Sequence, residues 1–289
     1  MKSVESVDSS FTPCERVGRD GLLALRFERR DNRTVLTQSR FKLPLQVLAP
    51  AVLDDGTLYL MLLNPTGGLV GGDRLLTRIV QGSGTGVCVT TPSATRVYRT
   101  ASHPAIHETL IQVGEGASLE YLPDHIIPHA GSELRQSLRV EMARESRAII
   151  WDALAAGRLA RGERWDFRAL ESRTEILLCG RPLFINRTRI DPLVQSPDRL
   201  GLMEGFSYAA SLMIMADAFR AWEELVASIE TQLKSMPQIL GAVSLLAASG
   251  CLVRLFTHSA ADLIRAQSKL WAQARELAFG LDPFDLRKY

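Results

Sequence analysis

The chain has 289 residues, with 34 Lys+Arg against 32 Asp+Glu, a formal net charge of +2, 46% hydrophobic residues and 23% charged ones. Those values exclude a disordered or collagen-like chain and leave ample material for one large core. The balanced charge gives no electrostatic footprint for nucleic acid or an anionic membrane surface, so neither is expected as a partner.

Residues 1–18 read as a loose polar leader without the apolar h-region of a secretory signal, and the whole of 1–289 reads as a single domain. From Gly21 the pattern is mostly short strands. Leu23, Leu25 and Phe27 alternate with Ala24, Arg26 and Glu28, and Leu58–Leu63 is a short apolar run. Leu75–Val80 and Val87–Thr91 flank GSGTG (82–86), which reads as a hairpin turn. Further strands are expected at Ile106–Val113, Ser118–Leu122, Leu134–Glu141, Ala148–Trp151, Arg173–Leu178, Pro182–Ile190 and Phe206–Met215. Gly241–Ala247 and Cys251–Phe256 straddle Ser249-Gly250 as a second hairpin. Turn residues recur throughout, which predicts a mostly antiparallel or solenoid-like β-body, with no fixed-period repeat in the sequence.

Two stretches change period. Phe219, Trp222, Leu225, Val226, Ile229 and Leu233 recur at helical spacing between Asp217 and Lys234. Leu263, Ile264, Leu270, Trp271, Ala274 and Leu277 do so between Ala260 and Phe279. Ser259 and Gly280 fit the N-cap and C-cap of the second helix. Each helix has an apolar face to lay on the β-body, and either could also present a surface to a partner. The longest nearly apolar stretch, Ile239 to Val253, is short of the roughly 20 residues of a spanning helix and is broken by Gly and Ser, so the expected location is the cytoplasm. Of the four cysteines, Cys88, Cys179 and Cys251 sit in apolar runs and are expected to be buried, reduced thiols; Cys14 lies in the leader.

Chemistry is sparse in the residues themselves. The glycine cluster Asn64-Pro65-Thr66-Gly67-Gly68-Leu69-Val70-Gly71-Gly72-Asp73 is neither a P-loop nor a dinucleotide fingerprint. It reads either as paired tight turns or as backbone brought close to something beside Asp73. His103/His107 and His125/His129 are spaced i, i+4, but prolines keep them out of helix interiors, and on a strand such rings lie about 13 Å apart, too far to share one ion. Asp152 closes the apolar run Ile149-Ile150-Trp151, so its carboxylate needs either a counter-charge, such as Arg158, or a wet interior. No GxSxG and no Cys–His neighbour is present.

Five blocks in order, NPTGGLVGGDRL (64–75), TTPSATRVYRT (90–100), LEYLPDHIIPHAGS (119–132), WDALAAGRLARGERWDF (151–167) and CLVRLFTHSAADLIRAQSKLWAQAR (251–275), resemble the urease accessory protein D family, also called UreD or UreH. The resemblance covers about residues 20 to 280. It implies a β-rich, helix-like stack of strands with two helices on one side. It also implies a maturation factor without catalysis of its own, acting with urease accessory proteins F and G on apo-urease. In that family nickel delivery is driven by GTP hydrolysis and a polar tunnel is thought to carry the ion in transit, with no tightly bound cofactor. Carried onto this chain, the tunnel positions are Asp73, Thr95, Asp152 and Asn186, the last standing where relatives often have an acidic residue. A conduit must not trap its ion, and carboxylates, hydroxyls and water hold nickel less tightly than imidazole or thiolate. Two other readings stay open: a β-solenoid hydrolase using Asp73, Asp152 and Glu163, and a pure scaffold with no ion path.

Overall fold

The computed structural model describes residues 19–286, so the expected leader lies outside the described residues. In chain order the strands are β1 (Asp20–Arg30), β2 (Arg33–Lys42), β3 (Gln46–Val47), β4 (Ala51–Val52), β5 (Leu58–Leu63), β6 (Arg74–Gln81), β7 (Gly86–Thr90), β8 (Thr95–Val97) and β9 (Ala105–Val113). They continue with β10 (Ser118–Leu122), β11 (Ile126–Pro128), β12 (Glu133–Met142), β13 (Arg147–Ala155), β14 (Ala169–Leu178), β15 (Arg181–Ile190) and β16 (Tyr208–Ala216). Helix α1 (Trp222–Lys234), β17 (Ile239–Leu245), β18 (Gly250–Thr257) and helix α2 (Ala260–Phe279) complete the fold.

Between β5 and β14 the chain alternates between two sheets, giving one long strand to each per coil. The first sheet runs β15-β14-β12-β9-β6-β1-β2 and the second β17-β18-β16-β13-β10-β7-β5-β3. Neighbours within the coils are parallel, as in β6–β9, β9–β12, β7–β10 and β10–β13, whereas the flanks close with antiparallel pairs β1–β2, β14–β15, β13–β16 and β17–β18. The body is therefore a β-solenoid with antiparallel ends. This corrects one expectation: GSGTG does not close a hairpin, because β6 and β7 lie in different sheets and the turn rounds a coil corner. The hairpin at Ser249-Gly250 forms as expected.

The sequence blocks 64–75, 90–100 and 119–132 meet at one such corner. Leu69 bridges Val97 in parallel, β8 pairs with β11, and Thr95 N–H donates to the His125 carbonyl at 3.0 Å. Gly68 is required there: a Cβ would meet the Arg96 carbonyl and lie 2.8 Å from the Tyr98 ring. Gly67 and Gly72, at φ 80° and 90°, make the turns.

Strand alternation divides the interior into two cores. Ala148 and Ile150 of β13 face the first sheet, whereas Ile149, Trp151 and Ala153 face the helices. The helices cover the second sheet's outer face with Leu225, Ile229, Leu263, Leu270 and Trp271, each fully buried aliphatic side chain contributing about 1.5–3 kcal/mol. The Ser259 hydroxyl accepts from Asp262 N–H at 3.1 Å, and Gly280 ends α2 in the left-handed region.

Three further expectations are corrected. Helix α1 begins at Trp222 and not at Asp217, because the Asp217 carboxylate accepts Glu145 N–H and Asp217–Arg220 forms a turn. Leu277 faces solvent; Arg275 and Ala278 take the buried positions of that turn. Cys179 is exposed, because with Gly180 it forms the tight turn between β14 and β15, while Cys88 and Cys251 are buried as expected.

Candidate functional site: a polar lane between the sheets

The inner face of the first sheet is not uniformly apolar. Leu25, Ile79, Ile111, Val140, Ile176 and Phe184 share one row, the aliphatic seam expected of a two-sheet core. Two residues along each strand the row reads Leu23, Thr77, Thr109, Leu138, Thr174 and Asn186, and the next reads Leu75, His107, Gln136, Ser172 and Thr188. Beyond these, Ala105, Leu134, Leu170 and Ile190 return to apolar character. A polar band two rows deep thus crosses the strands from β6 to β15, four steps of about 4.8 Å. Its members hydrogen-bond along the band. Thr77 Oγ1 lies 3.3 Å from His107 Nε2, Gln136 Nε2 donates to Ser172 Oγ at 2.9 Å, and Asn186 Nδ2 to Thr188 Oγ1 at 3.3 Å.

The second sheet answers this band with Tyr121 on β10, Asp152 on β13, Ser211 on β16 and Arg254 on β18; the last three are in register. Two cavities occupy the space. The inner one, about 150 Å³, is lined by Thr77, Thr95, His107, Thr109, Tyr121 and Asp152 among others. The outer one, about 600 Å³, is lined by Asp152, Asn186, Thr188, Ser211 and Arg254, with Val194 and Leu202 from the β15–β16 loop. Gln136, Asp152 and Ser172 border both, so Asp152 stands where the two meet.

Burial raises the Asp152 carboxyl to about 6, only partly opposed by the backbone N–H of Ala153. Arg158, the proposed counter-charge, is instead paired with Glu163, which also accepts Ala130 N–H at 3.0 Å. Burial lowers His107 to about 4, so the imidazole is neutral at physiological pH. The lane therefore offers scattered carboxylates, Asp124 and Asp152 in the inner cavity and Asp191 in the outer, among hydroxyls, amides and a neutral ring, an oxygen-rich donor set that binds a divalent ion weakly. Among the described residues no group of three or more His, Cys, Asp or Glu is placed to hold a metal. His103 is exposed, whereas His125 and His129 are buried edge-on to Tyr208 and Tyr98.

Of the four positions the resemblance supplied, Thr95, Asp152 and Asn186 line this space. Asp73 does not. Its buried carboxylate accepts Val70 N–H at 2.8 Å and caps the glycine-rich turn, and burial raises its pKa. Asp73, Asp152 and Glu163 thus have separate engagements and form no shared carboxylate pair.

Fold and site together define a β-solenoid with a hydroxyl-rich internal lane in which the Asp152 carboxylate stands where two cavities meet. The family model for the UreD urease accessory protein matches residues 19–288. A urease accessory protein UreD of Herpetosiphon aurantiacus is 34% identical over 270 residues, covering 91% of this chain and 94% of that protein. One from Deinococcus radiodurans is 33% identical over 272 residues, covering 93% and 95%. The chain belongs to the UreD family.

Proposed function

We propose that this chain is a urease maturation factor, working with accessory proteins F and G in GTP-dependent insertion of nickel into apo-urease, both as scaffold and as conduit. Family membership carries the maturation role. The observation that supports the conduit is the pair of cavities meeting at Asp152, across from the two polar rows of the first sheet. In this reading nickel is cargo. It enters the lane hydrated, exchanges water for hydroxyl and amide oxygens, and meets a carboxylate at the narrowing, where a fixed negative charge offsets the cost of a cation in a low-dielectric body. The chain itself turns over no substrate, and it acts in the cytoplasm beside its partners. Among the described residues no helix is long and apolar enough to cross a membrane.

The test is deletion and complementation in cells carrying urease and the other accessory proteins. Loss of the chain leaves urease expressed but nickel-poor and inactive. Asp152→Leu should leave the accessory complex assembled while urease activity and nickel content fall. Full activation per assembled complex would leave the pure scaffold as the reading.

A further inference from the structure

The wide chamber lies between β15, the edge strand of the first sheet, and β16 and β18 of the second, and one side chain reaches across its exposed side. Arg254 Nη2 donates to Asn186 Oδ1 at 3.1 Å, tying the second sheet to the first. Arg254 is on the inner face of β18, two strands from Asp152 through Ser211 in continuous register, so their backbones lie about 10 Å apart. It has no carboxylate partner among the described residues. The other charges lining the chamber near it are Arg189, which leans on Glu171 at 3.6 Å, and Asp191. A lane that holds a cation at Asp152 is thus crossed, on its way out, by an exposed and unneutralised guanidinium.

We infer that Arg254 is the charge gate of the outer mouth, a selectivity residue that hinders a divalent cation from leaving or entering there while the guanidinium rests on Asn186. This rests on the conduit reading above. Repulsion between a doubly charged ion and a fixed positive charge a few ångströms away raises the barrier to passage, and water at the opening screens it only in part. Asn186 supplies a neutral carbonyl, which orients the guanidinium without cancelling its charge.

The test uses the full chain in complex with its accessory partners, with nickel-63 as probe and urease activation as the second readout. Arg254→Gln should speed nickel release and activation at limiting nickel by about threefold to tenfold. Asn186→Asp, which places a carboxylate against the guanidinium, should act in the same direction. Arg254→Lys keeps the charge and should behave as the parent chain; if it also speeds release, the hydrogen-bonded tie and not the charge is responsible, and the gate as stated is wrong. Melting temperatures should be unchanged, since Arg254 is exposed. Asp152→Asn is run in parallel. If it lowers transfer while Arg254→Gln changes nothing, the gate alone is overturned; if Asp152→Asn has no effect, the conduit and the gate fall together.

Discussion

Arg275 on α2 and Glu120 on β10 form an ion pair closed off from water, the two side chains being 0% and 1% exposed. The same guanidinium also takes Asp55, and the Trp271 indole donates to Glu120. Burial pushes the Glu120 carboxyl up against the pull of Arg275. The pair pins the helix layer to the solenoid. Removing one partner leaves an uncompensated buried charge, so Glu120→Ala should cost about 3–5 kcal/mol in urea unfolding. The double variant Glu120→Ala, Arg275→Met should recover part of that loss.

Asp152 makes a prediction in which stability and function move in opposite directions. Its carboxyl titrates near 6 in the fold, above the ordinary 3.8. Between those values the folded chain holds the proton more tightly than the unfolded one, so stability falls as pH rises toward about 6. Asp152→Asn should therefore stabilise the protein at pH 7–8 by up to about 3 kcal/mol, at about 1.4 kcal/mol per pH unit, and the gain should vanish below about pH 4. Nickel transfer by the same variant should fall, and transfer by the parent chain should decline as pH drops through about 6. Denaturation curves at several pH values check the first part, and metal content of urease the second.

Asp73 should behave in the contrary way. Asp73→Ala removes the side-chain acceptor of the Val70 N–H in a part-buried turn, at a cost of about 0.5–1.5 kcal/mol. Yield of the accessory complex should drop, while activation per assembled complex stays at the parent level.

Gly68→Ala would drive a methyl into the Arg96 carbonyl and the Tyr98 ring. The corner that carries Thr95 has to shift, and overpacking of this kind costs about 1–3 kcal/mol. A lowered melting temperature is expected. Gly116→Ala, where a Cβ meets nothing within 4 Å although φ is 63°, should bring only the smaller backbone penalty.

The loop between β15 and β16 exposes Leu193 (84%), Val194 (82%) and Leu200 (91%). Apolar surface of this kind favours association, so the isolated chain should self-associate and become soluble with accessory protein F. Leu193→Glu with Leu200→Glu should raise the soluble fraction of the isolated chain in sedimentation runs.

Much of the fold was legible because period-two runs such as Ile106–Val113 and Leu134–Glu141 mark strands wherever they pair. What pairs with what was not. In a parallel coil a strand's partner lies roughly thirty residues away, and no local signal separates a corner such as GSGTG from a hairpin turn. The strand Arg33–Lys42 escaped notice because it is a largely exposed, polar edge, and β8 and β11 are only three residues long. At the site, Asp152 was visible as a carboxylate closing an apolar run. Thr77, Thr109 and Gln136 were not, since a hydroxyl or amide on a strand faces solvent as often as a lumen and only the register distinguishes the two. Arg254, alternating with Val253 and Leu255, reads as an ordinary outward residue; it faces the chamber because Val253 and Leu255 pack under the helices on the sheet's other face.

Because each coil sets one side chain into each polar row, the lining is written as separate letters spaced a coil apart. Exchanging Leu138 for threonine, or Thr174 for valine, would edit a single rung without moving its neighbours. Inserting a whole coil would lengthen the passage by one strand spacing, about 4.8 Å. The solenoid thus lets the chemistry of the route drift position by position while its walls stay fixed.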